Sequence, residues 1–127
     1  MKIKNIKFKA KQLNSEKWFE GDLVRLGNRV CIGGDHIKDG ITDVDPSTVC
    51  MFTGLTDCEG KELFEHDLIH FVGFTHTAEV IWSEGNYAFM VVSENKHSYW
   101  LHNVIKVCRI ERIGNKLIKR SSVWKDK

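Results

Sequence analysis

The 127-residue chain carries 19 basic and 17 acidic residues, for a formal net charge of +2, with 42% hydrophobic and 28% charged residues. That is the length of one ordinary domain, and ten glycines against a single proline exclude a linker-rich or disordered chain. No apolar run reaches the roughly 18 residues that span a bilayer, and no apolar core follows the basic N-terminus as in a signal peptide, so a cytosolic protein with no membrane partner is expected.

The first segment, residues 3–10, alternates Ile6, Phe8 and Ala10 with Asn5, Lys7 and Lys9, which predicts a half-buried strand with its lysines in water. Residues 17–26 predict a strand that breaks at Gly21-Asp22 and continues. Gly27-Asn28 is a two-residue hairpin signal before the β-rich Arg29-Val30-Cys31-Ile32, because both residue types tolerate positive φ. Residues 33–45 read as a surface loop tacked down by Ile37, Ile41 and Val44. Asp45-Pro46-Ser47 either starts a short helical turn or redirects the chain, the second being favoured.

Residues 48–55 and 62–72 form two strand candidates around the dense turn Asp57-Cys58-Glu59-Gly60-Lys61. A second hairpin joins residues 76–82 to residues 87–92 through Ser83-Glu84-Gly85-Asn86. Tyr99-Trp100-Leu101 returns to the core, and residues 104–113 read as a strand buried on parts of both faces. No run of ten or more residues keeps helical spacing. The expected fold is therefore all-β or a β-dominated α+β, a small barrel or sandwich of short antiparallel strands. It occupies residues 1–120 as one domain, with lobes at 1–47 and 48–120 as one division, and a frayed basic tail at 121–127.

One line occurs twice. Phe19-Glu20-Gly21-Asp22-Leu23-Val24 and Phe64-Glu65-His66-Asp67-Leu68-Ile69 share aromatic-Glu-x-Asp-aliphatic-aliphatic. A strand that bends sharply can use an aspartate to accept hydrogen bonds from backbone N–H groups two or three residues on, which assigns Asp22 and Asp67 to corresponding bends. Gly21, Gly54, Asp57 and Gly60 join them as turn-forming residues.

Around the second line, Thr48-Val49, Phe52-Thr53-Gly54-Leu55, Asp57, Gly60-Lys61-Glu62, Phe64-Glu65 and Asp67-Leu68-Ile69 carry a family pattern, and Lys17-Trp18 with Gly21-Asp22-Leu23-Val24 continues it towards the N-terminus. In these residues the chain resembles the YopX family of small phage and prophage proteins. The resemblance implies a β-rich fold of mobile-element origin with no assigned biochemical role. His66 stands where the family usually has glycine, which argues against a positive-φ turn there, and the C-terminal segment matches only loosely.

Chemistry-bearing patterns are few. Glu20, Asp22, Glu65 and Asp67 are not placed on one cleft by any pattern, so no catalytic residue is assigned. His66 and His70 have the spacing of a helical metal pair, but on a strand they lie roughly 13 Å apart. His36 beside Asp35, His76 and His102 complete no ligand set, and no phosphate loop or hydrolase motif occurs. Cys31, Cys50, Cys58 and Cys108 lack the close pairing of a zinc or redox site and read as free, mostly buried thiols. No metal and no cofactor is expected.

Two functional readings stand ahead of an enzyme. The first is a non-catalytic module that binds an unknown protein partner or a second copy of itself through a strand edge or apolar patch. The second is a nucleic-acid-binding accessory protein, in which Trp18, Trp82, Tyr87 and Trp100 stack bases while Lys7, Lys9, Arg109 and Arg112 neutralise phosphates. The near-neutral net charge weighs against the second.

Overall fold

A computed structural model describes residues 2–118 and the backbone of Val123–Trp124. Two compact units appear, one formed by Met1–Phe52 with Lys119–Lys127 and the other by Thr53–Ile118. The expected tail at 121–127 lies outside the described residues, except for the backbone of that last pair.

In the first unit, β1 (Phe8–Lys11), β2 (Lys17–Leu26), β3 (Arg29–Gly33), β4 (Ile41–Asp43) and the start of β5 (Cys50–Thr56) pair in the order β4-β3-β2-β1-β5, all antiparallel. The β2–β3 hairpin forms at Gly27-Asn28 as expected, with Leu26 opposite Arg29. Ala10, Phe19, Ile32, Ile37 and Val44 make the core of this unit.

Several local expectations change here. Strand β1 begins only at Phe8, after a 3-10 turn at Ile3–Asn5, and is hydrogen-bonded on both edges. Burial does not alternate along it: Lys9 is only 3% exposed beside fully buried Ala10. Strand β2 runs its ten residues without a break at Gly21-Asp22. The loop at 33–45 contains a 3-10 turn, Lys38–Gly40, and the short strand β4. A further 3-10 turn at Pro46–Thr48 is capped by Asp45, whose carboxylate accepts the Ser47 N–H at 3.0 Å.

In the second unit, the remainder of β5 is followed by β6 (Glu62–Phe64), then β7 (Asp67–Phe71), β8 (Thr77–Ser83), β9 (Ala88–Ser93), β10 (Ser98–Trp100), the helix α1 (Leu101–Val107) and β11 (Ile110–Asn115). The sheet order is β10-β9-β8-β7-β11, again antiparallel. The β8–β9 hairpin closes with Ser83 opposite Ala88, as its turn signal predicts. Ile69, Ala78, Val80, Val91 and Ile110 from the strands pack with Leu63 and with Leu101 and Val104 of the helix. Strand β12 (Val123–Trp124) pairs in parallel with β2, back in the first unit.

The helix corrects the expectation of a strand starting at Val104. It has seven residues, too few to show a long helical period, and its β-branched Val104, Ile105 and Val107 imitate a strand. The segment 62–72 is likewise two strands, interrupted at Glu65-His66. His66 takes φ 72°, so the positive-φ turn survives the loss of the family's glycine. The fold is thus β-dominated with short antiparallel strands in two lobes, and neither run of paired strands closes on itself among the described residues.

Candidate functional site

The dense turn at residues 57–61 is held by one side chain. The Asp57 carboxylate accepts the backbone N–H groups of Glu59 at 2.9 Å and Lys61 at 2.8 Å through one oxygen, and that of Arg112 at 2.8 Å through the other. Burial pushes this carboxyl up, but the three N–H donors and nearby Lys61 outweigh it and hold it below the ordinary aspartate value. Gly60 completes the turn at φ 83°.

Asp67 is buried completely and works in the direction opposite to the one expected. Its carboxyl accepts the N–H of Phe64, three residues back, at 2.7 Å, and the Asn115 side-chain amide at 2.9 Å. Asn115 also donates to the Glu65 carbonyl at 3.2 Å and accepts the Leu117 N–H at 2.9 Å. Asp22 does nothing comparable: it is exposed in the middle of β2, opposite Gly33. Gly21 is needed for space, since a Cβ there would stand 2.3 Å from the Gly33 carbonyl oxygen. Gly54 bends β5 at φ 84°, where the Thr53 hydroxyl donates to the Leu63 carbonyl at 2.8 Å.

The expected stacking and phosphate-binding residues differ in how far they reach solvent. Trp18 and Lys9 are buried, and Lys7 sits 3.3 Å from Glu20 and over the Phe52 ring. The Arg112 guanidinium donates to the Glu62 carbonyl at 3.1 Å. Trp82, Tyr87, Trp100 and Arg109 do reach solvent, the two tryptophans by 38% and 39%. Trp82 packs edge-on to Phe89 and donates its indole N–H to the Glu84 carboxylate, so its neighbour in space is an acid.

His66 and His36 are engaged locally. His66 meets Glu79 at 2.9 Å, a carboxylate that Lys116 also approaches at 3.4 Å, and His36 contacts the Glu20 carbonyl. Among the described residues, no three His, Cys, Asp or Glu side chains converge as metal ligands would. Cys31 and Cys50 are buried, Cys108 is partly buried and Cys58 is exposed, all as free thiols. Burial raises the Cys31 thiol, and its contact with the Asp43 carboxylate at 3.1 Å reinforces this.

Sequence reasoning missed a cleft of about 380 Å³ in the second unit. Phe71 at the end of β7 and Val104 and Cys108 from the helix and its C-terminus form its apolar interior. Ser93 and Tyr99 come from β9 and β10, and Phe74, His76, Asn95, His97 and Val107 complete the lining. The loop after β7 is pinned in place: the His70 ring bridges the Phe74 carbonyl at 2.7 Å and Glu111 at 3.3 Å. Phe74 is 61% exposed and Val107 79%, so apolar side chains stand in water at the mouth. The one signal in the sequence was Phe74 itself, a bulky apolar residue in a loop of glycine, threonine and histidine.

No curated protein matches the chain. A family model described as YopX protein matches residues 2–116. With nearly all of its length under that match, the chain belongs to the YopX family.

Proposed function

We propose that this YopX-family chain is a non-catalytic protein-interaction module of phage or prophage origin that works in the cytoplasm and binds its partner at the cleft of the second unit. The observation that supports this reading is the set of apolar side chains left in water around an apolar recess: Phe74, Tyr99 and Val107 stand exposed where Phe71 and Val104 form the interior. Water gains by being released from such surface, and association is the process that releases it. The pinned loop and the short, paired strands present this surface already ordered, which lowers the entropic cost of docking.

Size-exclusion chromatography with light scattering, run alone and with single- and double-stranded oligonucleotides at low and moderate salt, tests the reading. A homo-oligomer indifferent to oligonucleotide and salt is the expected result. Salt-sensitive comigration with an oligonucleotide replaces the module with the nucleic-acid-binding reading.

A further inference from the structure

The cleft and the β8–β9 hairpin tip are complementary and lie at opposite ends of the same two strands. Ser93, the last residue of β9, lines the cleft, as does His76, which precedes β8; the tip follows Ser83 and leads into Ala88. Strands of this length separate the two features by about 20 Å, so a tip cannot reach the cleft of its own copy.

The tip is an ordered acidic and aromatic knob. Tyr87 is 81% exposed and held at φ 49°, a conformation that bulky residues rarely adopt and that warrants a functional explanation. Around it the Ser83 hydroxyl accepts the Asn86 backbone and side-chain N–H groups at 3.3 and 3.1 Å, and Glu84 is tied to the Trp82 indole. The cleft has the opposite character. Lys96, Lys106 and Arg109 adjoin its lining residues in sequence, exposed and without a carboxylate partner among the described residues, and His76 and His97 are exposed in the lining itself. Two acids also neighbour the cleft: Glu94, which accepts the Thr77 N–H, and Glu111, which faces His70.

We propose that the hairpin tip of one copy inserts Tyr87 into the cleft of a second copy, with Glu84 facing the basic rim, so that the chain assembles head to tail. The proposal rests on the interaction-module reading and names its partner. An aromatic side chain buries about 150–250 Å² when enclosed, and a contact between different patches on two copies builds rings or open chains unless it is reciprocal.

The test uses the full chain with Tyr87→Asn, which tolerates the left-handed backbone, and Val107→Glu, both at exposed positions. Circular dichroism and thermal midpoints verify that each variant folds. In sedimentation analysis, wild type forms dimers or larger species as concentration rises, while each variant alone stays monomeric. Mixed in equal amounts, the two give a heterodimer and nothing larger, because one supplies an intact cleft and the other an intact tip. Glu84→Lys weakens assembly about fivefold, and Arg109→Glu in the same chain restores it. A stable oligomer that both variants form as readily as wild type, or a mixture that stays monomeric while wild type associates, overturns the tip-in-cleft contact and leaves the module reading standing. A chain that is monomeric at every concentration and takes up oligonucleotide removes both.

Discussion

The two aromatic-Glu-x-Asp lines are alike in sequence and unlike in structure. In the first, Asp22 faces water in an unbroken ten-residue strand, and the glycine before it is required because another backbone passes too close for a side chain. In the second, Asp67 is buried and joins a turn to a distant strand through Asn115, and the residue before it, His66, holds the left-handed backbone. A carboxyl group becomes structural when the fold brings donors to it. For Asp67, β11 delivers one such donor from 48 residues away, and the Phe64 N–H adds a local one.

The largest expected effect separates the two aspartates. Asp67→Ala removes the carboxylate that accepts the Phe64 N–H and one of the two acceptors of the Asn115 amide in a buried site, and should cost about 3 kcal/mol in urea unfolding, whereas Asp22→Ala should stay within about 0.5 kcal/mol. Equal losses at both positions would restore the idea of corresponding bends. Next come the residues between Glu and Asp. Gly21→Ala forces the β2–β3 backbones apart and should cost about 2 kcal/mol. His66→Gly relieves roughly 1 kcal/mol of left-handed strain while losing a half-exposed contact with Glu79, so its net effect should lie within about 1 kcal/mol of zero.

A smaller effect appears with acid. The Asp57 carboxyl is held below its unfolded value of about 3.9, so its contribution is fully present above that value and is lost as pH falls through the lower, folded one. The stability gap between wild type and Asp57→Ala should therefore be constant above about pH 5 and should narrow below about pH 4. A gap that stays constant into strong acid would mean that the three N–H bonds do not favour the ionised carboxylate.

Much of the fold was legible because hairpin chemistry is local. Gly27-Asn28 and the Ser83-to-Asn86 turn mark two hairpins with the residue types that such turns need, and alternation identified most strands. Helix α1 was hidden because seven residues rich in β-branched side chains satisfy both periods. Lys9 was misplaced because alternation assumes that every second residue meets water, and β1 buries the neighbours Lys9 and Ala10 together. The stacking residues Trp18 and Trp82 illustrate the same limit: residue type marks an aromatic, and only packing decides whether it meets a base, a core or a glutamate.

By itself, the amino-acid sequence determined a β-rich chain, its two clearest hairpins and its family, since these depend on turn chemistry, alternation and motifs read within a few residues. Only the tertiary structure decided which aspartate is structural, which lysine is buried, and that Phe71, Phe74, Tyr99 and Val107 enclose a cleft at the far end of the hairpin that ends in Tyr87. Such features depend on strand order and on side chains meeting across dozens of residues, and no local pattern records which distant partner will arrive.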